Sequence, residues 1–296
     1  MSIVITGATG RLGRMVITDL LAAGVPADGV TAVARSEEKA ADLVAKGVRP
    51  YVADYDRPET FAGAFRPEDR VLLISGTDVG RRTAQHAAVI DAAKAAGVAQ
   101  LGYVGVFGGP KADFLLANDH RETERLILDS GLPYTFLRNN WYSEAYAGDI
   151  GDLPGAVKRG AIVTNVAAGS RIATAPRTDY AAAAAVAIST DGHLNKAYEL
   201  GGDHAWSFEE FADEVSRQTG EKVVHTSVSA AERKAILTGA GVPEVFADVL
   251  VDVDDAISRG ALAATPGDLS RLIGRPTTPI ADSIAAALAA PAAPAS

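Results

Sequence analysis

Near the start of the chain, the stretch Ile3 to Gly13 reads I-V-I-T-G-A-T-G-R-L-G and limits what the rest can fold into. Apolar residues suited to a buried strand run straight into glycines at 7, 10 and 13, and Leu12 to Leu21 then carries apolar residues at helical spacing. A strand, a tight glycine turn and a helix N-terminus form a receptor for a pyrophosphate, because free backbone N–H groups and the helix dipole both favour an anion there. Gly7 permits the sharp turn. Gly10 removes the side chain that would separate backbone from phosphate, and Gly13 lets helix and strand pack closely.

Downstream, strand and helix patterns alternate. Expected strands are Val30 to Arg35, Val48 to Ala53, Val71 to Ser75, Leu101 to Phe107 and Tyr134 to Leu137. Between them lie a helix capped by Ser36 with Ala40, Leu43 and Val44 inward, a helix from Thr60 to Phe65, and helices from Thr83 to Ala96 and Asp119 to Ser130. The run V-L-L-I-S at 71–75 is apolar throughout, as a central parallel strand covered on both faces must be. The pattern predicts an α/β fold: a Rossmann-type doubly wound parallel sheet with right-handed crossovers. Past Arg138 the rhythm breaks. Short strands are expected at 161–166 and 171–173, a helix at 178–188, a last strand at 197–200, and helices at 208–219, 230–239, 243–259 and 280–289. The expected division is a nucleotide-binding domain over 1–202, with 139–160 lent to the substrate side, a smaller and mainly helical C-terminal substrate lobe over 203–290, and a disordered Pro-Ala tail at 291–296.

Composition narrows the partners. A net charge of −9 leaves no basic surplus to neutralise nucleic acid or an anionic membrane surface. The chain has no cysteine, which removes disulfides, thiolate nucleophiles, Fe–S clusters and thiolate-bound zinc. The five histidines never pair at i, i+4, and no metal site is expected. No signal peptide and no apolar run of about 20 residues is found, so a soluble cytoplasmic protein is expected. Oligomeric state is not written in the sequence, and a homodimer is left open.

Residues near the expected strand ends supply candidates. NAD-specific proteins place an acidic residue after the second strand, where it accepts the ribose hydroxyls; here Arg35 stands at that point with Lys39 one turn on. A guanidinium binds a 2′-phosphate bidentately, so NADP(H) is the expected cofactor, against an alternative in which Glu37 or Glu38 takes the ribose. Asp54 ends the third strand within reach of the adenine, and Ser75, Gly76 and Thr77 end the fourth beneath the nicotinamide ribose. At the reacting end, Asn139 is the first choice for orienting the carboxamide or the acceptor, since an amide both donates and accepts. Trp141 and Tyr142 are candidates to stack on a flat acceptor or to fill the core, and His120 is a candidate weak acid or ribose ligand. Asp179 and Tyr180 read as capping and docking their helix, and Asp252, Asp254 and Asp255 as a solvated helix face.

The G-x-x-G-x-x-G spacing is that of short-chain and extended dehydrogenases, whose usual acid is a Tyr with a Lys four residues on. Tyr103, Tyr134, Tyr142 and Tyr146 are followed at that distance by Phe107, Arg138, Tyr146 and Ile150, so the pattern is absent. Hydride delivered to an ordinary ketone makes an alkoxide that demands an acid, whereas hydride delivered to a quinone makes a phenolate-like anion with a pKa of about 10. The missing acid favours an activated acceptor.

Together with G-A-T-G-R-L-G, the segments L-L-I-S-G-T-D-V-G-R-R-T-A-Q-H, D-H-R-E-T-E-R-L-I-L-D-S-G-L-P-Y, L-R-N-N-W-Y-S-E, R-T-D-Y-A and Y-E-L-G-G-D-H-A-W-S resemble the NmrA-like atypical short-chain dehydrogenases, in their bacterial NADPH:quinone oxidoreductase branch. The resemblance runs from the first strand to L-I-G-R-P-T-T-P. It implies an NADPH site lined by Gly7, Ala8, Thr9, Gly10, Arg11, Leu12, Arg35, Ser75 to Thr77, Tyr103, Asn139, Asn140, Trp141, Tyr142, Ser143, Glu144 and Thr174, with quinones as acceptors. It departs from that pattern at Gly76, at Val104 and Gly105, and at Ala145 where an Asn is expected. The competing expectation is a non-catalytic NADP(H)-sensing regulator of the NmrA-like kind, and a third is reduction of an enone or imine.

Overall fold

The computed structural model describes residues 2–78, 80–149 and 152–289. In chain order the nucleotide half comprises β1 (Ser2–Thr6), α1 (Arg11–Ala22), β2 (Val30–Ala34), α2 (Ala41–Val44), β3 (Arg49–Val52), β4 (Asp69–Ile74), α3 (Arg82–Ala96), β5 (Gln100–Val106), α4 (Ala117–Ser130) and β6 (Tyr134–Asn139). Then come α5 (Leu153–Arg159), β7 (Ala161–Thr164), β8 (Arg171–Ile172), α6 (Arg177–Ser189) and β9 (Lys196–Leu200). The chain closes with β10 (Trp206–Ser207), α7 (Phe208–Thr219), β11 (Val224–Ser227), α8 (Ala230–Gly239), α9 (Glu244–Ser258), α10 (Asp268–Ile273) and α11 (Ile280–Ala289).

Seven strands form one parallel sheet in the order β3-β2-β1-β4-β5-β6-β9. The strand period of two assigns side chains to its faces. Ile3 and Ile5 of β1 and Leu72 of β4 join α1, α6 and α10 on one side; Val4, Val71 and Leu73 join α3 and α4 on the other. Small residues of α6, among them Ala183, Ala184 and Ala187, let it seat directly against α1. The chain leaves β1 outward to β2 and β3 and then crosses back to β4, so β1 and β4 flank the switch point where open α/β sheets hold ligands.

A separate apolar cluster centres on Trp206, Phe208, Phe211, Val249, Val253 and Ile257 and carries the C-terminal elements. α7 begins with a capping box in which Ser207 and Glu210 each satisfy the other's backbone N–H. α10 returns from this cluster to pack on α6 and β9.

Several local expectations are corrected. Residues 60–65 form no α-helix: a 3₁₀ turn at Pro58–Phe61 suffices to bury Phe61 and Phe65. Val44 is 42% exposed, because the segment after β2 is one 3₁₀ turn and a single short helix that buries Ala40 and Leu43 only. Asp179 does not cap α6. Fully buried, it accepts from the Arg275 guanidinium at 2.6 Å and from the Thr278 N–H at 2.7 Å, binding a distant segment to the helix. The acidic run on α9 is not a solvated face, since Asp254 is 3% exposed and Asp252 accepts from the Leu115 N–H at 2.6 Å. The expected tail lies outside the described residues.

Candidate active site

A cleft of about 1300 Å³ opens along the carboxyl ends of the strands. Its floor is the glycine turn. Gly7 adopts φ +64°, and a Cβ on Gly13 would lie 2.4 Å from the Gly7 carbonyl oxygen and 2.7 Å from the Ala8 Cα, backbone atoms that cannot yield. Gly10 caps α1 and is exposed, and the first turn of the helix carries no acidic residue, which leaves its N–H groups to an anion.

At one end of the cleft stand Arg35, Lys39, Arg14, Glu38 and Asp42. Arg14 binds Asp42 through two hydrogen bonds of 2.8 and 3.0 Å. Arg35 and Lys39 are exposed and, among the described residues, form no ion pair. Ser36 Oγ accepts from the Lys39 N–H at 3.4 Å and fixes this turn. Asp54 lies in the neighbouring wall with Tyr55 and Asp56; the Tyr55 hydroxyl donates to Thr6 Oγ1 at 2.8 Å.

The strand-four loop crosses the middle. The Gly76 peptide is held at both ends: its N–H donates to His86 Nε2 at 3.0 Å and its carbonyl accepts from Arg82 Nε at 2.6 Å. With Nε2 accepting, His86 must carry its proton on Nδ1, which faces Thr123 Oγ1 at 2.9 Å. Arg82, Gln85, Arg14, Tyr55 and Asp56 line the cleft and were not anticipated from the sequence. A signal existed for two of them: Arg82, Gln85 and His86 recur at i, i+3, i+4 on an otherwise alanine-rich helix, a polar stripe facing inward.

The far end is buried. Asn139 is 5% exposed; its amide nitrogen donates to the Tyr142 hydroxyl at 3.4 Å, and its Oδ1 has no partner. The Tyr142 ring is held by Tyr180 edge-on at 5.3 Å and by the Arg177 guanidinium over its face at 4.5 Å, and burial pushes its hydroxyl up. His120 Nδ1 lies 2.7 Å from the Tyr103 hydroxyl. Burial, with help from Arg82 and His86, holds His120 down at about 3, so it is neutral at ordinary pH; burial also raises Tyr103.

Of the residues expected to hold the cofactor, Gly7, Thr9, Gly10, Arg11, Leu12, Gly13, Arg35, Lys39, Asp54, Ser75, Gly76, Thr77, Asn139, Asn140, Trp141 and Tyr142 line this one cleft, and His120 joins them. Five do not reach the wall. Ala8 packs in the core and Tyr103 stands behind His120. Thr174 is a buried hub that accepts from Trp206 Nε1 at 2.8 Å and from Ser143 Oγ at 2.9 Å. Glu144 accepts the Arg177 N–H at 2.9 Å, a carboxylate at the start of α6.

The geometry is that of a dinucleotide fold, and known proteins agree with it. A model described as NAD(P)H-binding matches residues 7–188. The chain belongs to the NAD(P)H-binding family. It is 43% identical to quinone oxidoreductase 2 of Escherichia coli K12, over 95% of this chain and 97% of the relative. A crystal structure described as the E. coli NADPH-dependent quinone oxidoreductase complexed with NADPH superposes with a TM-score of 0.92 at 42% identity, covering 97% of this chain and 99% of that one. The Citrobacter sp. triphenylmethane reductase complexed with NADP(H) gives 0.91 at 40% identity, covering 97% and 100%. The family members thus include the quinone oxidoreductase branch that the sequence motifs resemble.

Proposed function

We propose that the protein is an NADPH-dependent reductase that passes hydride to a quinone or a similarly activated acceptor. The observation that carries this is the contrast within the cleft: free cations Arg35 and Lys39 at one end, and at the other a buried amide oxygen, Asn139 Oδ1, beside groups that hold no labile proton near neutral pH. Similarity to the E. coli quinone oxidoreductase over almost the whole chain supports the same reading.

Arg35, with Lys39, takes the 2′-phosphate; the amides of the glycine turn take the pyrophosphate; and Asn139 takes the carboxamide, whose NH2 donates to the otherwise unpartnered Asn139 Oδ1. NADPH, when bound, supplies the hydride. The balance is NADPH, a proton and quinone giving NADP⁺ and hydroquinone. The Tyr103 hydroxyl lies 2.7 Å from His120 Nδ1; with that hydroxyl donating, the neutral imidazole carries its proton on Nε2 and offers it to the acceptor oxygen. A neutral histidine is a poor acid, which suits a product that forms as a stable phenolate and is protonated by water. The lining supports reading it as an atypical short-chain dehydrogenase: among the described residues of the cleft the lysine is Lys39, at the end proposed to take phosphate. The acceptor meets Trp141 and Ala145 from the 139–160 stretch and Phe246 from the 203–290 stretch.

The test is loss of NADPH absorbance with benzoquinone and naphthoquinone acceptors, run beside NADH. Turnover with preference for NADPH is expected. Tight binding of NADPH and NADP⁺ without turnover of any quinone, enone or imine would establish a sensor instead.

A further inference from the structure

One part of the cleft wall comes from the C-terminal helices. Among the described residues beyond Arg177, Phe246 alone lines it. Phe246 sits in the first turn of α9, is 41% exposed, and lines the cleft together with Leu116 and Trp141. A phenylalanine left that open on a concave wall exposes apolar surface that an apolar ligand would cover.

Phe246 is not loosely placed. α8 packs on α9, and Leu237, Ala247 and Leu250 of this hairpin close around Trp141, itself a cleft residue. Asp252 of α9 accepts the Leu115 N–H at 2.6 Å, which ties the turn bearing Leu116 to the same helix. The hairpin therefore presents Phe246 at a fixed position relative to Trp141 and Leu116. His120, the group that would meet a reacting carbonyl, is 6% exposed, whereas Phe246 on the same cleft is 41% exposed. A planar acceptor of two fused rings has more apolar surface to lay against Phe246 than a single ring held at His120 has.

Resting on the reductase reading above, we propose that Phe246 is a specificity-determining residue that selects planar, uncharged acceptors of two or more fused rings over single-ring ones. The aromatic contact adds to acceptor binding without touching the hydride path. An aromatic contact of this kind is worth about three- to tenfold in affinity.

The experiment compares wild type with Phe246→Ala and Phe246→Leu on a two-ring naphthoquinone and on one-ring benzoquinone, with the KM for NADPH and the thermal midpoint measured alongside. For Phe246→Ala, kcat/KM on the naphthoquinone is expected to fall about three- to tenfold through KM, while benzoquinone, NADPH and the midpoint hold within about twofold or 1–2 °C, and Phe246→Leu falls between. Equal losses on both acceptors, or no loss on the naphthoquinone, overturns the proposal. Should the wild type reduce neither quinone, the reductase reading fails, and quenching of intrinsic fluorescence by the naphthoquinone decides the inference separately. Weaker binding to Phe246→Ala then supports it, and equal binding overturns it.

Discussion

The two ends of the cleft are built on opposite principles. The end proposed to take the phosphates is made of backbone and exposed charge: the glycine turn, the start of α1, and the exposed Arg35 and Lys39. The end proposed to react is made of neutral polar groups, the buried Asn139 and His120 and the partly buried Tyr142, with hydrogen bonds from Tyr103 to His120 and between Asn139 and Tyr142. Charge that must attract a multiply anionic ligand gains from being free and in water's reach, whereas groups that must orient an uncharged ring gain from being desolvated and fixed. The comparison can be broken at either end.

The largest effect is expected at Gly13→Ala. The new Cβ would overlap the backbone of Gly7 and Ala8, so a loss of about 3 kcal/mol in stability, with NADPH binding abolished, should appear in thermal melts and cofactor titration. At Gly10 a Cβ would meet the Gly7 carbonyl at 3.3 Å, and Gly10→Ala should fold while binding NADPH more weakly. Next comes Arg35→Ala: the KM for NADPH should rise on the order of 10- to 100-fold while that for NADH is unchanged, and parallel losses on both would remove the 2′-phosphate role.

A smaller effect is set by protonation. His86 and His120 are both held at about 3 against an ordinary value of 6.5, so the folded protein resists a proton that the unfolded chain accepts. Stability from these neutral rings is complete above pH 6.5 and is lost as pH falls from there toward 3. Near pH 5 each is expected to cost of order 1–2 kcal/mol in urea unfolding. Asp254 opposes this, since burial raises it to about 6 from 3.8 and the folded state takes up its proton between those values. His120→Gln should flatten the acid limb; an unchanged slope would show that His120 is not held neutral by its burial. The smallest effect is at Asn139→Ala. A fall in kcat of about five- to tenfold is expected with at most about 1 kcal/mol of stability lost, because the amide oxygen it removes is unpaired and its bond to the Tyr142 hydroxyl is long at 3.4 Å.

Much of the fold was legible because it is written in short periods. The apolar runs of β1 and β4, the αL glycines at 97 and 131 that stop α3 and α4, and the capping box of α7 are each local signals. Elements without such periods were missed: β10 has two residues, β11 reads V-H-T-S on an exposed edge, and α10 has six residues between glycines. The candidate site divides likewise. Residues at strand ends, from Gly7 to Thr77 and at Asn139, lie where strand-end reasoning put them, since every parallel strand delivers its carboxyl end to the same rim. Ser143, Glu144 and Thr174 turned inward because Trp206 and the start of α6, neither adjacent in sequence, claimed their polar atoms.

The sequence by itself determined the sheet, the anion turn, the cation after β2 and the absence of a Tyr and Lys acid, all features of neighbouring residues and their spacing. Tertiary structure alone decided that His120 is neutral, that Asn139 Oδ1 waits without a partner, and that Phe246 closes a cleft whose floor begins at Gly7. Desolvation and enclosure depend on which surfaces meet in space, and no local pattern records how much water the rest of the chain will exclude.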